Sequence, residues 1–120
     1  MSLKDAIRTA TVGAPAQFKS EEVLVDGQTV IVRQMSVGDR SARIEQCLVD
    51  DPHQPGKRTL DGKKYATLGI ILSCFDESGA RVFDDADADV LDSQPCGGWY
   101  DKIIEAVNRL SNVDGAAQKN

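Results

Sequence analysis

The run Ala66-Thr67-Leu68-Gly69-Ile70-Ile71-Leu72-Ser73-Cys74-Phe75 decides how the rest of the chain is read. It is apolar almost throughout and is followed by the turn Asp76-Glu77-Ser78-Gly79 and a short return, Ala80-Arg81-Val82-Phe83. Periodicity alone does not separate a buried strand from a buried helix in such a run. The strand reading is preferred here, because Gly69 interrupts the run and Val82-Phe83, across the turn, supplies a partner strand. A buried helix over residues 66–75 is the alternative.

Working outward toward the C-terminus, Asp84 or Asp85 caps a short helix through Leu91, its carboxylates favoured by the positive end of the helix dipole. Pro95 and the pair Gly97-Gly98 break the chain. A final helix from Trp99 to Asn112 places Ile103, Ala106, Val107 and Leu110 on one face, inward. Residues 113–120 read as a frayed tail.

Toward the N-terminus, residues 52–64 read as an exposed loop rich in proline, glycine and the cations Lys57, Arg58, Lys63 and Lys64. Those cations are read as a solvated loop, with contact to an acidic partner as the minority alternative. Before the loop, Ser36 caps a helix with Asp39 approximating the third position of a capping box. Its inward face is assigned to Val37, Ser41, Ile44 and Leu48, with Arg40, Arg43 and Glu45 turned away, and Asp50-Asp51-Pro52 ends it. Glu22-Val23-Leu24-Val25 and Thr29-Val30-Ile31-Val32-Arg33 flank Asp26-Gly27, the strongest hairpin signal in the chain. Their apolar centres imply cover on both faces. Ser2 caps a short helix bearing Leu3, Ala6, Ile7 and Ala10, ended by Gly13 and Pro15. The expected fold is therefore α+β: one domain over residues 1–120, a small antiparallel sheet of two hairpins with three to four packed helices, and residues 1–19 as a mobile arm.

Composition narrows the function. A net charge of −5 and a pI near 4.7 oppose phosphate-driven binding to nucleic acid. No apolar run reaches the ~20 residues a membrane span needs, and the first residues lack the order of a signal peptide, so the expected site is the cytoplasm. Cys47, Cys74 and Cys96 form no C-x-x-C pair and read as buried free thiols. His53 sits in the loop without catalytic company. Asp84, Asp85, Asp87, Asp89 and Asp92 lack the glycine and terminal glutamate of a calcium loop. Gly97-Gly98 belongs to no phosphate-binding motif, and Cys96 has no basic neighbour to activate it. The residues carry no catalytic constellation and no cofactor or metal motif, and an enzyme is not expected. Trp99-Tyr100 reads either as a cap on the core or as an interface anchor.

From Val23 onward, the order of elements resembles the tail assembly chaperones of long-tailed, siphovirus-type bacteriophages and prophages. The resemblance is carried by the N-terminal strand pair and the step from Val30-Ile31-Val32-Arg33 through Gln34-Met35 into Ser36-Val37-Gly38-Asp39. It continues in Cys74-Phe75-Asp76-Glu77-Ser78-Gly79 through Val82-Phe83, the acidic helix Asp84 to Leu91, and the closing Leu110-Ser111-Asn112. It implies a protein that binds the tape measure protein, keeps that helical chain soluble, helps recruit tail tube subunits, and is absent from the finished virion. Reversible cover of apolar helices calls for hydrophobic patches on a soluble body, and Leu3, Ile7, Trp99 and Tyr100 are the candidate contacts. The oligomeric state is left open. Gln118-Lys119-Asn120 is encodable as CAA-AAA-AAC, the kind of slippery run through which such genes append a second domain. A minor tail or tail completion protein and an acidic inhibitory or immunity-type module are the competing readings.

Overall fold

The computed structural model describes residues 2–111. The elements run α1 (Leu3–Ala10), β1 (Ser20–Val25), β2 (Gln28–Arg33), α2 (Val37–Cys47), β3 (Leu48–Asp50), β4 (Arg58–Leu60), α3 (Gly62–Ser73), β5 (Cys74–Phe75), a 3₁₀ turn (Asp85–Asp87), α4 (Ala88–Asp92) and α5 (Trp99–Ser111). The class is α+β, as the sequence indicates. The frayed tail and Asn112 lie outside the described residues.

β1 and β2 form the expected hairpin, in register from Ser20↔Arg33 to Val25↔Gln28. Asp26 (φ 49°) and Gly27 (φ 79°) both take the positive φ that a tight two-residue hairpin turn demands. Val23, Val30 and Val32 alternate onto one face, where α5 covers them with Ile103, Ala106, Val107 and Leu110, all buried. Among the described residues no second layer covers the opposite face, which corrects the expectation of cover on both faces. Leu24 is 66% exposed there, while Phe75 is roofed by the Arg33 guanidinium 3.9 Å from its ring centre.

Residues 66–73 are helix, which corrects the strand reading. Only Cys74-Phe75 is strand, pairing with β2 as Val32↔Cys74 and Ile31↔Phe75 to give the sheet order β1-β2-β5. The expected return strand shrinks to a single bridge, Phe75↔Arg81. The physical reason is that α3 packs against α2, α4, α5 and β2, so Thr67, Leu68, Gly69, Ile70, Ile71 and Ser73 are all buried. A helix with nearly every residue of its second half buried loses its polar stripe there, and with it the periodic signal. Asp61 starts it, accepting the Lys64 amide at 3.2 Å.

The second hairpin is β3–β4, paired Leu48↔Leu60 through Asp50↔Arg58. Its second strand lies inside the segment read as a loop, and α2 ends at Cys47 rather than at Asp50-Asp51-Pro52. The inward face of α2 is also corrected: Val37 is 71% exposed and Ile44 39%, whereas Arg43 is 4% exposed and Cys47 fully buried. Arg43 lies across α3, donating from Nε to the Tyr65 carbonyl at 2.8 Å with its guanidinium 3.7 Å above the Tyr65 ring. Gly69 makes the crossing possible, because a Cβ there would sit 2.5 Å from Arg43 Nη2. Burial pushes the Arg43 pKa down from its ordinary value.

The Ser2 and Ser36 caps form, with the Asp5 and Asp39 amides donating to them, and of the pair Asp84 and Asp85 it is Asp84 that caps, accepting the Ala86 amide at the head of the 3₁₀ turn rather than of α4. At Asp84 the box closes, since Asp87 accepts the Asp84 amide at 2.9 Å. No described helix is long and apolar enough to cross a membrane.

Candidate partner-binding surface

The four contact residues singled out in the sequence fall in two different settings. Leu3 is 77% and Ile7 53% exposed on α1, a helix with no buried residue. Trp99 and Tyr100 are half-buried at the start of α5 and pack against the core. Trp99 stacks on Phe83 with ring centroids 6.0 Å apart and planes 6° apart. The Tyr100 hydroxyl lies 3.0 Å from Thr67 Oγ1, and that hydroxyl in turn donates to Asp92 Oδ1. Buried polar atoms need such partners. The network ties α3, α4 and α5 together, and Lys63 reaches Asp92 from the outside at 3.6 Å.

A groove beside this network has no counterpart in the sequence reading. It comprises two adjoining cavities of ≈ 460 and ≈ 380 Å³ that share Gln46, Leu68, Ile71 and Asp85. Its floor is Leu68, Ile71 and Leu72 of α3, residues at i, i+3 and i+4 that fall on one helix face only when the segment is helical. Its outer wall is acidic: Asp84 and Asp85 lead into α4, where Asp89 and Asp92 continue the line. Lys63 and Lys64 stand at one end and Arg81 at the other. The helical spacing of the floor is the available signal, overridden in the strand reading by the interruption at Gly69 and the partner strand offered by Val82-Phe83.

The remaining candidates for chemistry are dispersed. His53 is exposed, and its amide donates to Asp51 Oδ1 at 2.8 Å. Cys47 and Cys74 are buried, and desolvation raises both thiols, Cys74 to about 12. Cys96 is exposed, against the expectation of three buried thiols. Among the described residues no group of three or more His, Cys, Asp or Glu side chains is placed to hold a metal ion. The arrangement offers surfaces for contact: a helix with a bare apolar face, and an apolar groove with a charged wall.

Over 92% of its length the chain superposes on 97% of the tail assembly chaperone of bacteriophage HK97, with a TM-score of 0.55 and 13% sequence identity. The two proteins share a fold. No protein-family model matches the sequence, and no curated protein matches it. At this identity the likeness lies in the order and packing of elements, which is also where the sequence resemblance lies. The strand pair, the polar helix after it, the turn at Asp76–Gly79 and the acidic segment into α4 are all present in that order.

Proposed function

We propose that the chain is a phage tail assembly chaperone that binds the tape measure protein, keeps it soluble and promotes assembly of the tail tube. The observation that carries this reading is the fold shared with the HK97 tail assembly chaperone along nearly the whole of both chains. Fold alone does not fix function, so the reading also leans on the surface. Leu3 and Ile7 offer apolar contacts outside the core, Trp99 and Tyr100 stand half-exposed beside it, and the groove on α3 adds a concave apolar floor. A net charge of −5 keeps a body with such patches dispersed. Binding of this kind makes and breaks no covalent bond. It takes place in the host cytoplasm, and the protein leaves before the virion matures.

The test is co-expression with the tape measure protein encoded by the same phage or prophage. Retention of the tape measure in the soluble fraction, with the two proteins co-purifying, is the expected result. A tape measure that precipitates equally with and without the chain overturns the reading. Mass spectrometry of purified particles separates the competing case, since a minor tail or completion protein is stoichiometric there and a chaperone is absent.

A further inference from the structure

We propose that the open face of the β1-β2-β5 sheet receives an amphipathic helix of the tape measure protein, with aliphatic side chains on Leu24 and Ile31 and a carboxylate on Arg33. The proposal rests on the chaperone reading and deepens it by naming the contact surface and the chemistry it selects. Register places Leu24, Ile31 and Phe75 on that face as a diagonal strip across the three strands: Phe75 lies opposite Ile31, and Ile31 lies opposite Glu22, two positions from Leu24. Leu24 is 66% exposed and Ile31 half-buried, while Phe75, though only 6% exposed, stands outside the core that α5 closes. A sheet with an apolar face is completed by a packed layer, and on its inner face this sheet takes a helix, α5. Neighbouring strands stand about 4.8 Å apart and a helix climbs about 5.4 Å per turn, so a helix crossing the strands sets side chains one turn apart on successive strands.

Arg33 decides the charge of the guest. Its guanidinium lies over two rings, 3.9 Å from the centre of Phe75 and 5.1 Å from that of Phe18. Ring contacts hold a guanidinium by its flat faces and leave its N–H fork for a partner at the edge. Among the described residues that fork meets no carboxylate, since the ion pairs there are Lys63–Asp92, Arg81–Asp39 and Arg109–Glu21. Arg81, the other cation near Phe75 at 5.6 Å, is already engaged by Asp39 and by the Ile71 carbonyl. The contrast singles out Arg33, half-buried and held in place, as a receptor for one carboxylate, which a guanidinium grips best with two prongs. Glu22, exposed on the same face and diagonal to Arg33, forms no ion pair with it and opposes an incoming carboxylate. An acid beside an aliphatic stripe is therefore the pattern this face selects in a helix.

A photo-crosslinking side chain placed at Leu24 of the full chain, co-expressed with the tape measure of the same phage or prophage, tests this. The expected crosslink falls in a tape measure segment whose aliphatic residues keep a helical period and whose flank carries Asp or Glu. Arg33→Gln and Leu24→Ser should each lower the affinity for the tape measure at least about tenfold. Arg33→Lys, which keeps the charge and loses the fork, should weaken it too, and Glu22→Gln should strengthen it. Arg33→Glu should abolish binding, and a lysine in place of the crosslinked segment's acid should restore it. An unchanged circular dichroism spectrum checks that each variant folds, and Leu24, largely exposed, carries the test even where a change at Arg33 loosens Phe75. A tape measure held equally by wild type, Leu24→Ser and Arg33→Gln overturns this proposal and leaves the chaperone reading standing. One that the wild type does not hold overturns both. Crosslinks between copies of this chain in place of the tape measure would assign the face to a second copy and overturn the proposal as well.

Discussion

Arg109 grips Glu21 across 88 positions of sequence, with Nε 3.1 Å from both carboxylate oxygens and Nη2 2.8 Å from Oε1. The pair fastens α5 to the outer edge of β1, where the sheet has no further strand. The two-pronged geometry adds direction to what is otherwise an exposed ion pair.

That grip makes a pH prediction. The hydrogen bond from Arg109 holds the Glu21 carboxyl below its ordinary value of 4.5, with the Arg109 charge acting the same way and desolvation opposing. A carboxyl depressed on folding contributes stability that is present above its unfolded pKa and lost as pH falls through its folded pKa. Urea titrations should therefore show wild type more stable than Arg109→Ala at neutral pH, with the gap closing well below pH 4.5. The gap should also shrink in ~1 M salt, where the screening length is about 3 Å. A gap of equal size in acid and at neutrality counts against this account.

Gly69→Ala should destabilise the protein even though alanine favours helix by roughly 1 kcal/mol. The new Cβ would fall 2.5 Å from Arg43 Nη2 and 2.8 Å from its Cζ, so the buried guanidinium must move. Overpacking of this kind costs about 1–3 kcal/mol, which leaves a net loss of up to about 2 kcal/mol. Shortening the obstacle with Arg43→Met should make Gly69→Ala neutral or stabilising. A double-mutant cycle by urea denaturation reads the coupling, and additivity of the two changes would argue against the contact.

These residues also mark where sequence reading succeeds and fails. Asp26-Gly27 is legible because the turn's own chemistry specifies it, and α5 is legible because one face stays in water and its apolar residues keep a helical period. Ser2, Ser36 and Asp84 announce helix starts through local hydrogen bonds that need no tertiary context. α3 is illegible as a helix because nearly all of Thr67–Ser73 is buried, leaving no polar stripe, and Gly69 misleads as a strand break when it is a notch for Arg43. The face of α2 misreads for the same reason: a charged residue is turned inward by a partner distant in sequence. The groove, which depends on α3 being helical, could not be seen from a strand.

Thr67→Val should cost about 1–3 kcal/mol, since it removes a nearly buried hydroxyl that serves both Asp92 and Tyr100 and leaves their polar atoms short of a partner. Thermal or chemical unfolding measures the loss. A Thr67→Val protein as stable as wild type would show that the network contributes little to holding α4 and α5 on α3.

Thiol labelling at mildly alkaline pH should modify one cysteine rapidly in the folded chain, Cys96, and all 3 in denaturant. Cys74, raised to about 12 by burial, holds almost no thiolate under those conditions, and Cys47 is shifted in the same direction. Peptide mapping after a short pulse of a maleimide identifies the site. Rapid modification of Cys74 without denaturant would mean that the β5 end of the core opens readily.

α3 passes into β5 without a single intervening residue, Ser73 ending one and Cys74 beginning the other. The bed of the groove and a border strand of the sheet are thus one continuous stretch of chain, with Leu68 and Ile71 on one side of the junction and the Cys74↔Val32 pair on the other. A residue change on the groove's bed therefore lies only a few positions of backbone from the pairing that closes the three-stranded sheet.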